Sequence, residues 1–290
     1  MGKKGIYENA MKIVFLAAAS ISVVAVFLIC FFLFINGIPA MREIGLGNFI
    51  LGEIWKPGND IFGIFPMILG SIYVTGVAIL VGVPIGLLTA IFMARFCPKK
   101  LHRMIKPFID LLAGIPSVVY GLFGLVVLVP LIRDFTRSFG FHGNGNSILT
   151  AGLLLGMMIL PTIISVSENS IRAVPEKYFD GALALGATDE RSVFTVMVPA
   201  ASQGIMAGVI LGIGRAIGET MAVIMVAGNQ ARMPEGVLRG IRTLTANIVI
   251  EMGYAADLHR RALIATGVVL FVFVLMINIL FNLLKGRNKE

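Results

Sequence analysis

The chain has 290 residues, of which 57% are hydrophobic and 14% are charged, and its mean hydropathy is +0.92. This composition excludes an ordinary water-soluble globular protein and indicates an integral membrane protein. The net charge of +8 does not indicate nucleic-acid binding, because the cations are scattered over short segments between apolar runs.

The sequence contains six apolar stretches, each long enough to cross a hydrocarbon core of about 30 Å as an α-helix. Helices are the expected form, because backbone amides inside a bilayer must find hydrogen-bond partners within their own segment. We therefore predict an all-α integral membrane protein with six transmembrane helices. In chain order the predicted spans are Ile13 to Ile35, Met67 to Ala94, Pro107 to Ile132, Ile148 to Ser167, Gly204 to Gly228 and Ala262 to Leu284.

The predicted spans divide the chain into a tail over residues 1–12, a first helix with an outer loop over 13–66, a main membrane domain over 67–284 and a second tail over 285–290. Lys and Arg are more numerous in the loops on the side of the N-terminal tail, and the positive-inside rule places that side in the cytoplasm. An even number of crossings then returns the C-terminus to the cytoplasm.

Within the third predicted span, Pro116 and Ser117 interrupt the apolar run. A proline inside a transmembrane helix removes one backbone hydrogen bond and kinks the helix. Ser117 would then present a hydroxyl group to a polar gap in the bundle, which makes it a candidate residue of a substrate pathway.

The loop between the fourth and fifth spans, residues 168–203, has helical patterning but no stretch long enough to cross the membrane. Pro175 suits the first turn of a helix, and Gly186 would end that helix. Thr188 can cap a second helix, whose first turn is acidic and so complements the helix dipole. The loop is predicted to form two short amphipathic helices that meet at a glycine.

The fifth predicted span carries Arg215 and Glu219, one helical turn apart and near mid-membrane. A charge at the bilayer centre costs about 2.5 to 3.5 kcal/mol on insertion scales, so such residues pair, face the bundle interior and mark pathways. We expect the two side chains to form an i, i+4 pair on one helix face. Two interpretations stay open: the pair locks helix packing, or, with Thr220 beside it, it lines the route of an anionic substrate.

Small residues repeat along the same span. They allow helices to approach each other closely, within the chain or against a partner chain. The repeated positions are Gly204, Gly208, Gly212, Gly214 and Gly218.

The sequence carries no motif for bond chemistry. It has no Gly-x-x-x-x-Gly-Lys-Ser/Thr segment to cradle nucleotide phosphates, no paired metal-ligand motif and no Gly-x-Ser-x-Gly segment. Cys30 and Cys97 lie at different depths, so they predict neither a disulfide nor a zinc site. We therefore expect no catalytic residue, no metal and no cofactor, and any ATP would be bound by a separate subunit. A secondary transporter that uses Glu219 as a proton carrier stays open as an alternative.

The inner loop resembles the signature of bacterial ABC-importer permeases, which is Glu-Ala-Ala, three residues, Gly, nine residues, Ile, one residue and Leu-Pro. This chain has Asp180-Gly181-Ala182, Gly186, Val196 and Val198-Pro199 at that spacing. Asp replaces Glu, Gly replaces the first Ala, and Val replaces Ile and Leu. The resemblance implies a coupling helix that docks in a groove of an ATP-binding subunit, whereas the pattern alone also fits amphipathic helices lying on the membrane surface.

Three further segments resemble the phosphate-importer permease family, PstC type. They are Arg-Ala-Ile-Gly-Glu-Thr-Met-Ala-Val at 215–223, Ile-Pro-Ser-Val-Val-Tyr-Gly-Leu-Phe-Gly-Leu at 115–125 and His-Arg-Arg-Ala-Leu at 259–263, and the resemblance runs from about Phe62 to the end. It implies a type I ABC-importer permease (MetI-like) fold over 67–284, in the bacterial inner membrane, with Arg215 and Glu219 at positions tied to transport.

The same resemblance implies four kinds of partner for the chain. They are a second permease subunit of the PstA type, a dimeric ATP-binding subunit, an extracytoplasmic phosphate-binding protein and the lipid bilayer. The chain itself would be no enzyme, since the ATP-binding subunit hydrolyses the ATP. Import of another tetrahedral oxyanion, such as sulfate or molybdate, stays open, because the coupling loop is shared across substrates.

Overall fold

The computed structural model describes residues 3–141 and 143–287, so the ends of both predicted tails lie outside the described residues. Among the described residues, five helices are long and apolar enough to cross a membrane, and a bent helix pair supplies a sixth crossing. This confirms an all-α membrane architecture.

The first crossing is α1, Lys3–Ile44, which continues well beyond the predicted span. It is followed by the short helix α2, Leu46–Leu51, and by a two-stranded hairpin of β1, Trp55–Lys56, and β2, Ile61–Phe62. The hairpin folds back onto the protein, because Trp55 and Phe62 are both buried and their rings stack edge to face. The outer loop is therefore a packed element.

The second crossing is α3, Phe65–Ile91, which ends in a π-helical turn, Phe92–Phe96. The fourth crossing is α7, Ile148–Arg172, and it forms the centre of the bundle, with the largest share of buried residues among the spans. Both spans lie where the hydropathy predicts them: α3 with its π-helical turn is two residues longer at each end, and α7 begins at Ile148 as predicted and continues five residues beyond Ser167.

The third crossing differs from the prediction, which placed one helix over Pro107 to Ile132. The N-terminal part of that range belongs to an amphipathic helix, α4, Lys99–Gly114. The crossing begins only after Pro116, as α5, Ser117–Phe123, and continues through a π-helical turn into α6, Val129–Ser138. The break has a steric cause, because proline forces the preceding residue into an extended conformation, and Ile115 has ψ 127°.

The inner loop forms α8, Glu176–Ala184, then α9, Asp189–Ser192, a π-helical turn and α10, Val198–Ala200. The chain then bends by 70° into the next helix. The prediction of two short helices that meet at Gly186 is confirmed. Pro175, expected in the first turn, instead occupies the position just before the first helix.

The fifth crossing was predicted as one helix over Gly204 to Gly228, and this prediction is wrong. The chain forms α11, Ser202–Gly218, then leaves the helical conformation and resumes as α12, Met221–Val226. The remaining helices are α13, Leu244–Glu251, and the last crossing α14, Asp257–Arg287, which packs on α1 through a close approach at Gly37.

Candidate translocation site and coupling loop

The break in the fifth crossing lies at Glu219 and Thr220. Glu219 is extended, with φ −68° and ψ 132°, and its side chain points forward along the chain. The carboxylate oxygen Oε1 accepts hydrogen bonds from the backbone N–H groups of Thr220 at 3.1 Å and Ala222 at 3.2 Å. Glu219 thus caps the N-terminus of α12, where free N–H groups and the helix dipole favour a negative charge.

The expected i, i+4 ion pair of Arg215 with Glu219 is not formed, and no ion pair joins them within the described residues. The reason is the break itself, because the i, i+4 geometry requires an uninterrupted helix. Arg215 is half-buried one turn before the break. Thr220 is also half-buried, and its hydroxyl donates to the carbonyl of Gly218 at 3.2 Å.

A second break, at Ile115 and Pro116, lies between α4 and the start of the third crossing. Ser117 is the first residue of α5 and is half-buried. The hydroxyl of Tyr120 reaches back across the break and donates to the carbonyl of Leu112 at 2.9 Å. The kink expected at Pro116 is a complete break between two helices, and a side-chain hydrogen bond satisfies one of the carbonyls at the end of α4.

The two breaks lie side by side because α5 packs on α12 through glycines. A Cβ atom built at Gly121 would lie 3.0 Å from Cα of Ala222, and one built at Gly124 would lie 2.8 Å from Cγ1 of Val226. The contacts advance in the same direction on both helices, so their N-terminal ends adjoin. The third-crossing and fifth-crossing candidates therefore belong to one region, although they are about a hundred residues apart in the sequence.

The loop between the fourth and fifth crossings turns at Gly186, whose φ of +84° is a left-handed conformation that glycine adopts without strain. The N–H of Gly186 donates to the carbonyl of Leu183 at 2.9 Å, and the N–H of Ala187 donates to the carbonyl of Ala182 at 3.1 Å. These two bonds form a Schellman cap, which ends α8. The hydroxyl of Thr188 then accepts a hydrogen bond from the N–H of Arg191 at 3.3 Å and caps α9.

The first helix of the loop, α8, has no fully buried residue. Asp180 and Gly181 are exposed, Ala182 is half-buried, and Leu185 at the helix end is 91% exposed. A Cβ atom built at Gly181 would meet nothing within 4 Å. The surface presented by α8 is therefore smooth and partly apolar, and the chain itself leaves it uncovered.

The second half of the loop is anchored in the protein. Val193 and Met197 are fully buried against residues of α3, α7 and α11, whereas Val196 is half-buried and Ala200 is exposed. In a regular α-helix, positions 193, 196, 197 and 200 would lie on one face. The π-helical turn over 193–197 shifts the helical register, so only the first and third of these positions are buried. Pro199 is exposed in α10, just before the 70° bend into α11.

Three clusters of charged side chains are not evident from the sequence. The first surrounds Glu168 in α7, which is only 2% exposed. His102 Nε2 lies 2.6 Å from Glu168 Oε1, Arg172 Nε donates to the same oxygen at 3.0 Å, and Lys106 Nζ lies 3.5 Å from Oε2. Only the i, i+4 spacing of Glu168 and Arg172 was visible in the sequence, since His102 and Lys106 belong to α4.

The second cluster joins Arg95, at the end of the second crossing, to Glu176 in α8 by two parallel hydrogen bonds. The third lies on the predicted outer side. Glu251 of α13 accepts hydrogen bonds there from Trp55 Nε1 at 2.8 Å and from Arg242, and lies 2.8 Å from His259 Nε2. This outer cluster ties the hairpin to α13 and α14. Among the described residues, no group of His, Cys, Asp or Glu has the arrangement of a metal site.

These features define a class of protein: a multi-pass membrane protein with adjoining helix breaks in its bundle and an exposed helical loop on one side. Within that class the chain belongs to the family of binding-protein-dependent transport system inner membrane components, which matches residues 82–289.

Similar sequences extend over nearly the whole chain. The probable ABC transporter permease protein YqgH of Bacillus subtilis is 37% identical over 284 residues, which are 96% of this chain and 91% of that protein. The phosphate transport system permease protein PstC of Mesorhizobium japonicum is 36% identical over 261 residues, covering 84% of this chain and 80% of that protein.

Solved structures agree on the fold. A bacterial ABC transporter that imports the acidic polysaccharide alginate matches with a TM-score of 0.67 at 14% identity, covering 98% of this chain and 99% of that one. The inward-facing MetNI methionine ABC transporter matches with a TM-score of 0.63 at 18% identity, covering 82% of this chain and 100% of that one. The MetI-like permease fold is therefore confirmed.

Proposed function

We propose that this chain is the permease subunit of an ATP-binding-cassette importer that carries inorganic phosphate across the cytoplasmic membrane. Its similarity to proteins named as phosphate transport permeases supports the substrate. The structural observation that carries the proposal is the pair of adjoining helix breaks at 115–116 and 219–220, with Arg215 one turn before the second. Interrupted transmembrane helices of this kind form the substrate sites of many transporters.

An anion at the two breaks would meet complementary groups. The guanidinium of Arg215 offers a planar fork of donors that suits a tetrahedral oxyanion, and the first N–H groups of α5 carry partial positive charge. The N–H groups at the start of α12 are already taken by the carboxylate of Glu219. The hydroxyl group of Ser117 is available as a further donor, and that of Thr220 becomes one when it leaves the carbonyl of Gly218. Glu219 holds the break open by capping α12, and its negative charge keeps the anion from binding too tightly to leave.

ATP supplies the energy through a separate subunit, since this chain performs no bond chemistry and needs no cofactor of its own. Closure of a dimeric ATP-binding subunit would push on the exposed α8 surface at Asp180, Gly181 and Ala182, with Gly186 setting its angle. The movement would pass through Pro199 and the 70° bend into α11, which ends at the second break. A second permease subunit would complete the pathway, and an extracytoplasmic binding protein would deliver phosphate.

Uptake of radiolabelled phosphate by cells that carry single substitutions tests the proposal. Arg215→Gln removes the cation at the break, and Gly186→Leu places a side chain where φ is +84°, so each should abolish most of the uptake. Gly58→Ala is the matched control, because an added Cβ there meets nothing within 4 Å and the residue lies in the hairpin, away from α8, so it should keep wild-type uptake. Wild-type uptake in both Arg215→Gln and Gly186→Leu would contradict the proposal.

Two measurements separate the alternatives. Competition with unlabelled sulfate and molybdate distinguishes phosphate from other tetrahedral oxyanions, and we expect only phosphate to compete. Purification of the chain from membranes should recover an ATP-binding subunit with it. Recovery without any ATPase, together with uptake driven by a proton gradient, would favour a secondary transporter that uses Glu219. We also propose that both termini lie in the cytoplasm, and labelling of introduced thiols from one side of the membrane tests this placement.

A further inference from the structure

Arg95 holds the coupling helix α8 from its protein-facing side. The side chain lies in the π-helical turn that ends the second crossing and is only 13% exposed. Its Nη1 and Nη2 donate to Oε2 and Oε1 of Glu176 at 3.0 Å and 2.9 Å, a bidentate arrangement that fixes orientation as well as distance. Glu176 is the first residue of α8.

The same guanidinium makes a second contact, one turn further along α8. Its central carbon lies 4.3 Å from the centre of the Phe179 ring, within the range of a cation–π interaction. Phe179 in turn packs on the buried cluster that contains Ile91 and Ile171, from the second and fourth crossings. Arg95 therefore contacts two successive turns of α8 and holds this helix against the bundle.

The arginine is itself firmly placed. The π-helical turn 92–96 is tied to the fourth crossing, because Arg172 Nη2 donates to the carbonyl of Met93 at 2.8 Å. A π-helical turn leaves backbone carbonyls available for such bonds and often marks a functional site. The hydrogen bonds from Arg95 also hold the pKa of Glu176 below its ordinary value, so the carboxylate is ionised at neutral pH.

The two sides of α8 have different partners. Glu176 and Phe179 contact Arg95, and Asp180, one turn after Glu176, is on the same side of the helix. Gly181 and Leu185 are exposed on the opposite side. We propose that Arg95 is a positioning residue that clamps the coupling helix to the second crossing, so that a push on α8 moves this crossing directly as well as the fifth crossing along the chain. The inference rests on the proposed function, because it assumes that an ATP-binding subunit pushes on α8.

A direct link of this kind has a mechanical consequence. The second crossing, α3, approaches α7 closely through glycines and packs on α11 through apolar side chains, so it can carry a movement into the centre of the bundle. The link through α10 reaches only the start of α11. With the clamp broken, α8 could tilt on Gly186 and the loop while α3 stayed in place, and ATP hydrolysis would proceed without full transport.

The test uses the whole complex, with both permeases, the ATP-binding subunit and the binding protein, reconstituted in proteoliposomes. Arg95→Glu and Glu176→Arg should each lower the ratio of phosphate transported to ATP hydrolysed by about fivefold or more, a typical coupling between distant sites. The charge-swapped double variant restores an ion pair and should recover most of the ratio. Arg95→Lys keeps the charge but loses the fork, so its ratio should be intermediate.

Arg261→Glu is the matched control, because Arg261 pairs with Glu43 by a similar two-point contact between distant segments on the outer side. It should leave the ratio of transport to hydrolysis unchanged. A wild-type ratio in both Arg95→Glu and Glu176→Arg would overturn the clamp. The clamp would also be overturned if the ratio in the double variant were no higher than in the single variants. It would be overturned as well if a single variant lost the ATP-binding subunit and the double variant did not regain it. Absence of phosphate uptake by the wild-type complex would instead refute the proposed function.

Discussion

At the scale of single residues, two carboxylates in the spans are stabilised in different ways. Glu219 uses its Oε1 to accept two backbone N–H groups at the start of α12. Glu168 instead forms ion pairs with three basic side chains, which belong to two helices. Both arrangements satisfy the rule that an intramembrane charge needs a partner, and only that of Glu168 uses cations.

Glu168→Gln should destabilise the protein by about 3 kcal/mol, the lower end for a broken buried ion pair, because its basic partners keep some contact with water. The substitution preserves the shape of the side chain but leaves His102, Lys106 and Arg172 without their shared anion. Thermal unfolding of the detergent-solubilised protein measures the effect. Glu43→Gln breaks an exposed pair and should cost less than about 1 kcal/mol. Equal losses in both variants would contradict this account of Glu168.

At the scale of elements, glycines decide which helices approach closely. Along α11, a Cβ atom built at Gly204, Gly208 or Gly212 would lie 2.1 to 3.1 Å from side-chain atoms of α7. A Cβ atom built at Gly214 or Gly218 would meet nothing within 4 Å. The predicted small-residue surface is therefore confirmed for the first three positions as a contact within the chain. The last two face space that a partner chain could fill.

Alanine at two of these glycines should have opposite effects. Alanine favours a helix over glycine by about 0.5 to 1 kcal/mol wherever its Cβ fits. At Gly214 it fits, so Gly214→Ala should keep or raise the melting temperature of the isolated subunit. At Gly204 the Cβ would lie 2.1 Å from Ser170 Oγ and 2.5 Å from Ser170 Cβ, so Gly204→Ala should lower it. A change in melting temperature of the same sign in both variants would show that α7 and α11 are not packed as described.

The helices that follow simple hydropathy were predictable, and the breaks were only partly so. Long apolar runs marked α3, α7 and α14, and a proline marked the break before Ser117. The break at Glu219 was missed, because the run around it stays apolar and the acidic side chain that stabilises it looks, in sequence, like half of an i, i+4 pair. The partners that Glu168 has in α4 and that Arg95 has in α8 were beyond reach, since His102 lies 66 residues from Glu168 and Glu176 lies 81 residues from Arg95.

At the scale of the whole molecule, charged clusters tie the elements together at both ends of the bundle. On the predicted inner side, Glu168 and Arg95 join α3, α4, α7 and α8. On the predicted outer side, Glu251 joins the hairpin, α13 and α14. Between them the helices meet through glycines and apolar side chains, and both breaks lie in this middle layer. Such an arrangement lets the two ends hold their shape while the middle opens on one side or the other.

The proposed orientation predicts which positions react from which side of the membrane. Leu185→Cys places a thiol at a 91% exposed position of the coupling loop, and Tyr254→Cys places one at a 68% exposed position of the last outer loop. In a background with Cys30→Ser and Cys97→Ser, a membrane-impermeant maleimide should label Tyr254→Cys in spheroplasts and Leu185→Cys only in inverted vesicles.

The ATP-binding subunit, when bound, should protect Leu185→Cys from the maleimide, because the exposed end of α8 would lie in the groove of that subunit. Labelling of Leu185→Cys in spheroplasts would reverse the proposed topology, and labelling in inverted vesicles unaffected by the subunit would move the docking surface away from α8.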